Sequence, residues 1–313
     1  MKIITLVPVK NEAWILHFSL TNFSLFSDEI IILDDGSTDE SMSIAKTFPK
    51  VAVIPFTAKE KHVDMSVRRN KLLEEGRLRG GTHFVCLDAD ETLSSRYISI
   101  LRDHLESLSI GDTLLLPWIT VFQKNDSYYF SEKETTSYKN FIFCDDKKSM
   151  YPQQSISETR TPPLTGNNIH LPYEDGCVFH FQYIAQERTA MKQVWYMCNE
   201  LVEGRRSARR INATYRHTKG TADRYKEPVD DSFVMGVKNT INTSISDSYH
   251  KEKVLEFFKT YSILFFENLD IWHIQSLYDQ FKKEVGKAPI PKTFPSWLLW
   301  ANDLKNKLKN GIL

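Results

Sequence analysis

Short apolar runs alternate with longer, helix-spaced stretches along the first third of the chain. Ile3 to Val9 is a mostly apolar run of buried-strand type. From Asn11 to Phe26 the apolar residues Trp14, Ile15, Phe18, Phe23 and Phe26 fall close to helical spacing. Ile30 to Leu33 reads as a second strand ended by Asp34-Asp35-Gly36. Ser37 and Glu40 then have the spacing of a capping box and predict a helix start. Val51 to Phe56 is a third strand. Val63 to Arg79 is a helix stopped by Gly80-Gly81, and His83 to Leu87 is a fourth strand running into Asp88-Ala89-Asp90-Glu91. Strands alternating with helices predict an α/β fold with parallel strands and right-handed crossovers. Ligands gather at the carboxyl ends of such strands, where Asn11, Asp34, Asp35, Asp88 and Asp90 all fall.

The pattern then changes. Thr113 to Phe122 and Asn140 to Cys144 read as strands, and residues 145–176 form a polar, proline-rich stretch of the kind used as functional loops. Cys177 to Tyr183 is one more strand. From Glu187 onward the chain reads as helical, with a basic cluster at Arg205, Arg206, Arg209 and Arg210. This predicts a first domain over 1–185 and a helical extension over 186–313. Lys plus Arg equals Asp plus Glu at 40 each, which argues against a nucleic-acid partner. The four cysteines show no CxxC spacing, and a reducing compartment is expected. No apolar stretch is long enough to span a bilayer, and the N-terminus reads as a strand. A cytoplasmic protein is expected. The tail holds Trp297, Leu298, Leu299 and Trp300 before Lys305, Lys307 and Lys309. It reads either as a peripheral contact with the inner face of the cytoplasmic membrane or as a helix packed on its own domain.

Three constellations carry candidate chemistry. Asp88 and Asp90, just past a strand, can meet one hard divalent cation, Mg²⁺ or Mn²⁺, which would neutralise a diphosphate leaving group. The alternative is a solvated turn. The acidic pair of ILDDGSTD can accept hydrogen bonds from a ribose or a base, or it simply joins a strand to a helix. In Val67-Arg68-Arg69-Asn70 the arginines can fork to a phosphate or stack on a base, or they form a surface pair.

Together VPVKNEAW, ILDDGSTDES, RRN and LDADE, in this order, resemble the family 2 glycosyltransferases of GT-A fold, a Rossmann-like mixed central sheet flanked by helices. The resemblance covers about residues 1–125 and is nearest to bacterial enzymes of surface-polysaccharide or lipopolysaccharide assembly. It implies that Pro8, Lys10, Asn11 and Glu12 line the nucleotide pocket. Asp34 or Asp35 would contact base or ribose, Arg69 and Asn70 would lie near the base, and Asp88 and Asp90 would form the metal and donor-sugar site. It implies a nucleoside-diphosphate sugar donor, most simply a UDP-sugar, and a hydroxyl of a glycan or glycolipid as acceptor. Inverting transfer needs a base for the acceptor hydroxyl. The family often places it in a Glu-Asp pair, and Asp175 lies 85 residues after Asp90 (175 − 90). Asp175 is therefore the first candidate, Glu174 the second and Glu158 the third. The QxxRW element of processive synthases is missing, which points to single-sugar transfer. His180, in CVFHFQY, is either a core residue or the additional metal ligand that GT-A enzymes often use, and His170 is a weaker ligand candidate. Lys192 and the four arginines could touch diphosphate or an anionic acceptor. Two rivals stay open: a nucleotidyltransferase making nucleotide-sugars, which would normally carry a glycine-rich loop after the first strand, and a glycan-binding module without catalysis.

Overall fold

The computed structural model describes residues 1–56, 65–131, 137–152, 159–215, 227–244 and 248–290. They fall into two compact units: 1–185 with 222–245, and 186–221 with 246–313.

The first unit opens as the apolar runs predict: β1 (Ile3–Val9), α1 (Ala13–Ser24), β2 (Glu29–Asp34), α2 (Ser41–Ala45), β3 (Val51–Pro55), α3 (Met65–Leu78) and β4 (His83–Cys86). After the acidic motif come β5 (Glu91–Leu93), α4 (Ser95–Glu106), β6 (Thr113–Thr120), the hairpin β7 (Phe122–Lys124) and β8 (Ser127–Phe130), β9 (Tyr138–Cys144), β10 (Asn168–His170) and β11 (Val178–His180). The central sheet has the order β3-β2-β1-β4-β9-β6-β11-β5, with β10 also on β6. β1 to β4 are mutually parallel. β9 runs against both β4 and β6, and β11 runs with β6. Two reversals cancel, so β6 and β11 point the same way as β1 and β4. This is the mixed α/β sheet flanked by helices that the motifs imply.

Helix α1 is apolar almost all round, and among its residues His17 alone is exposed. Such a helix must be covered on both sides. Leu16, Leu20 and Phe23 pack with Ile3, Ile30 and Leu114, whereas Trp14, Ile15 and Phe18 pack with Ile119, Phe179 and Phe181. Each fully buried side chain of this size contributes roughly 1.5–3 kcal/mol, so α1 is a main anchor of the sheet.

The Ser37–Glu40 capping box does not form. Helix α2 starts at Ser41 with no side-chain cap, because Ser37 is occupied elsewhere: its Oγ accepts from Asn11 N at 3.1 Å. Asp39 instead accepts from Ala13 N (3.0 Å) and from Ser41 N (3.0 Å). The stretch 145–176, read as a loop, contributes β10, whose entry is fixed by a close backbone approach. A Cβ on Gly166 would sit 2.4 Å from the carbonyl carbon of Gly111.

The segment 227–244 packs with the first unit, although the helical pattern assigned everything after 185 to an extension. β12 (Glu227–Pro228) pairs with β8, and Val229, Val234 and Ile241 join the cluster around Phe18 and Phe181. Asp231 caps α7 (Ser232–Val237) through Phe233 N and Val234 N (both 3.1 Å) and also accepts from Ser95 N (2.8 Å) and Ser95 Oγ (2.9 Å) at the start of α4. Asp231→Ala is expected to cost about 2 kcal/mol, read as a lower Tm by calorimetry. An unchanged Tm would show that the clasp is dispensable.

The second unit is helical: α5 (Gln186–Val202), α6 (Ala208–Tyr215), α8 (Ser248–Tyr261) and α9 (Gln275–Val285). Its core is built from Val194, Cys198, Ile211, Val254, Phe258, Phe266, Trp272 and Phe281. Within it Arg205 pairs with Glu203 (2.5 Å) and Arg206 with Glu200 (3.6 Å). All four cysteines are buried free thiols. No described helix is long and apolar enough to cross a membrane. The 297–309 tail and Glu158 lie outside the described residues.

Candidate active site

At the carboxyl ends of β1 and β4 lies a pocket lined by Leu6, Pro8, Arg69, Leu72, Cys86, Leu87, Asp88, Tyr151 and Arg160. The acidic motif forms its charged edge. Asp88 Oδ2 is 2.8 Å from Arg160 Nη2, and the same nitrogen lies 2.7 Å from Glu91 Oε1. Glu91 is wholly buried and accepts two further hydrogen bonds, from Trp118 Nε1 (2.7 Å) and from Asp88 N (2.9 Å). Burial raises the Glu91 carboxyl to about 6, with Arg160 pulling the other way. Burial would also raise Asp88, but the charges of Arg160 and Arg69 outweigh it and hold this carboxyl below the usual range. The motif thus contains one carboxylate held ionised at the pocket wall and one locked beneath it as a structural brace.

Asp90 and His180 complete the edge. Asp90 Oδ2 is 3.6 Å from His180 Nε2, and both residues are buried. The antiparallel register of β11 on β5 sets His180 opposite Glu91. The imidazole stacks on Trp118 (centroids 4.5 Å apart, planes at 21°), whose ring also lies 3.7 Å from Lys139 Nζ. His180 Nδ1 is buried without a hydrogen-bond partner among the described residues. His180 is therefore at the acidic motif, with one nitrogen facing a carboxylate and one unused.

The turns after β1 and β2 are laced together on the other side of the pocket. Asn11 adopts a left-handed backbone (φ 54°), a conformation asparagine tolerates better than most residues. Its Oδ1 accepts from Thr38 N (2.7 Å). Asp34 accepts from Ser37 N (2.8 Å) and so shapes its own turn. Glu12 accepts from the Trp14 indole (2.6 Å). Lys10 Nζ donates to Asp35 O (2.6 Å), and Asp35 Oδ2 is paired with Arg68 Nη2 at 2.8 Å. The arginine that meets the acidic pair is thus Arg68, not its neighbour. Arg69 faces the pocket and donates to Thr159 O (2.6 Å). Asn70 is turned to backbone: its side chain brackets Tyr151, donating to Tyr151 O (2.9 Å) and accepting from Tyr151 N (2.7 Å).

Glu174 and Asp175 are not brought to this edge. They precede β11, whose carboxyl end carries His180, so they lie at the opposite edge of the sheet. Ser94 N bonds to Cys177 O (3.0 Å) and Arg96 Nη1 to Glu174 O (2.6 Å), which ties the pair to the start of α4. Along an extended strand Cys177 is already about 10 Å from His180. His170 is exposed at the end of β10, against the ring of Tyr138. Lys192 belongs to the helical unit. The residues that sequence reasoning missed are Arg160, Trp118 and Tyr151. Glu91 stood in the acidic motif without a role.

No curated protein sequence matches the chain. Among solved structures it is similar to residues 1–349 of S. aureus TarS (TM-score 0.44, 10% identity, 92% of each chain). It is also similar to a longer S. aureus TarS chain (TM-score 0.40, 13% identity, 68% of this chain), of which it spans 42%. A third is glucosyl-3-phosphoglycerate synthase from Mycobacterium tuberculosis in complex with Mn²⁺, uridine-diphosphate and glucosyl-3-phosphoglycerate (TM-score 0.27, 20% identity, 38% of this chain and 44% of that one). The sequence model described as glycosyl transferase family 2 matches residues 5–186, more than half of the chain.

Proposed function

The chain belongs to glycosyl transferase family 2, and we propose that it moves one sugar from a nucleoside-diphosphate sugar, UDP-linked, to a hydroxyl of a glycan or glycolipid, with inversion. One observation carries this reading. At the carboxyl edge of parallel strands Asp90 faces His180 at 3.6 Å, and Asp88, paired with Arg160, lines the neighbouring pocket together with Arg69.

The residues present suit a divalent cation. Asp90 Oδ2 and His180 Nε2 are 3.6 Å apart, and a shell of one or two protein groups completed by phosphate oxygens and water is what Mg²⁺ prefers. Among the described residues no three metal-binding side chains converge, so Asp90 and His180 would hold the ion, with Asp88 facing the donor. When bound, the ion neutralises charge on the departing diphosphate. The chain supplies the rest. Asp35, held by Lys10 and Arg68, offers a fixed carboxylate to the ribose or base. Trp118 and Glu91 keep the edge rigid.

The base that takes the acceptor proton must face the sugar from the carboxyl edge. Glu158 is favoured, because the next two residues, Thr159 and Arg160, are bonded to Arg69 and Asp88 at the pocket. Glu174 and Asp175 are disfavoured by lying at the other edge.

Incubation with UDP-, GDP-, CDP-, ADP- and dTDP-sugars tests the reading. Slow release of nucleoside diphosphate from a UDP-sugar without acceptor is expected. Pyrophosphate release from a nucleoside triphosphate with a sugar 1-phosphate would instead identify a nucleotidyltransferase, and no turnover of any donor would leave a binding module. For the nucleotide wall, Asp35→Ala is expected to weaken UDP binding by about 1–3 kcal/mol, measured by calorimetry. Unchanged affinity would remove Asp35 from the site.

A further inference from the structure

We propose that Trp118 is a positioning residue: it sets the rotation of the His180 imidazole, and its tether to Glu91 holds it there. The inference rests on the metal reading above only for what His180 binds. The sheet register builds the arrangement. On β11, Val178 pairs with Trp118 of β6, and His180 lies opposite Glu91 of β5. Val178 and His180 are two residues apart, so Trp118, His180 and Glu91 stand on one face of three adjacent strands. A side chain as large as tryptophan reaches its diagonal neighbour on the next strand. The indole of Trp118 does this and goes one strand further. Its ring stacks on His180, with centroids 4.5 Å apart and planes at 21°, and its Nε1 donates to Glu91 Oε1 at 2.7 Å.

Among the described residues no hydrogen bond orients the imidazole. Its Nδ1 is buried without a partner, and its Nε2 stands 3.6 Å from Asp90 Oδ2, beyond hydrogen-bond reach. A histidine that holds a metal is ordinarily fixed by a hydrogen bond from its other ring nitrogen. Here the stack takes that part. Rotation about the Cβ–Cγ bond would turn an imidazole edge into the indole face, so the stack fixes that angle. The indole is itself held. Glu91, which accepts its N–H, is wholly buried and also bonded to Arg160 and to Asp88 N. Lys139 Nζ lies 3.7 Å from the indole centroid, close enough for a cation–π contact.

The test compares the full chain with Trp118→Leu and Trp118→Phe, each also in a His180→Ala background. The first readout is metal-free: the imidazole NMR signal of His180 in histidine-labelled chain in EDTA, assigned by its loss in His180→Ala. One sharp signal is expected in the native chain, and a broadened or doubled one in Trp118→Leu. The second is Mn²⁺ affinity, read from free Mn²⁺ by electron paramagnetic resonance. Trp118→Leu is expected to lower it about 10- to 100-fold, with no further loss in the His180→Ala background, because the two residues act as one. Trp118→Phe keeps an aromatic face but cannot bond Glu91, and should fall between native and Trp118→Leu in both readouts. A sharp native signal in Trp118→Leu, or a loss of Mn²⁺ affinity that persists in full without His180, overturns the positioning role. So does a Trp118→Phe indistinguishable from native, which decides alone if Trp118→Leu does not fold. If Mn²⁺ binding is indifferent to His180→Ala, the metal reading fails, and the metal-free signal alone decides whether Trp118 holds the ring.

Discussion

Asp90→Ala is expected to lower kcat/KM for sugar transfer by about 10²–10⁴-fold, the loss that follows when several kcal/mol of charge stabilisation at the leaving group disappear. The fold should survive the change. Asp90 is buried, but its backbone carbonyl, which accepts from Phe181 N at 2.9 Å, is kept by alanine. Removing one of three carboxylates from the Asp88–Glu91 stretch also relieves like-charge repulsion, so the Tm should hold or rise. The measurement pairs steady-state kinetics over a Mn²⁺ titration with a thermal melt. Near-normal turnover in a folded Asp90→Ala, or full activity of the native chain in excess EDTA, would remove the metal role.

Much of the fold was legible because the first strands are buried on both faces and their helices are long enough to show a period. Ile3–Val9 is apolar except for Thr5, Phe84–Cys86 is apolar throughout, and α1 is marked by its aromatic residues. What could not be read is short or held by distant partners. β5 and β10 have three residues each, too few for any periodicity, and they exist because neighbours far along the chain complete their ladders. The helix start at Ser37 failed for a similar reason. The capping pattern was present, but Asn11 claimed the serine and Asp39 took over the local donors.

The site divides in the same way. Although Asp34 serves its own turn, the carboxylates after β4 and the acidic pair after β2 stand out in the sequence as acids at a sheet's carboxyl edge. Their partners do not. Arg160 reaches Asp88 from the polar stretch after β9, Trp118 reaches Glu91 from β6, and Asn70 is spent on the backbone of Tyr151. None of these pairings has a sequence spacing to recognise. The choice between Arg68 and Arg69 depends on which face of α3 meets the loop after β2, a rotation that adjacent identical residues cannot reveal. His180 was ambiguous within its apolar strand, and only the pairing of β11 with β5 sets it beside the acidic motif.

The base is where spacing along the chain and direction in the sheet disagree, and there the second large effect is expected. Glu158→Gln should lower kcat by at least about 10²-fold, while Asp175→Asn and Glu174→Gln remain near native. An acceptor hydroxyl is a poor nucleophile at neutral pH, and a carboxylate placed against it contributes about 10²–10⁴-fold. To serve, that carboxylate must share the sheet edge with Asp88, Asp90 and His180. A count of residues from Asp90 favours Asp175, but it takes no account of strand direction. β11 runs parallel to β6, and β6 is aligned with β4 through two reversals. Its carboxyl end therefore carries His180 to the site, and its amino end carries Glu174 and Asp175 away. Residue 158, by contrast, is followed directly by Thr159, which accepts from Arg69, and by Arg160, which grips Asp88. Each substitution replaces a carboxylate by its amide and keeps size, so lost basicity is what kcat reads, and donor affinity should change little. A dead Asp175→Asn beside an active Glu158→Gln would return the base to the Glu-Asp pair and require the acceptor to enter from the opposite edge of the sheet.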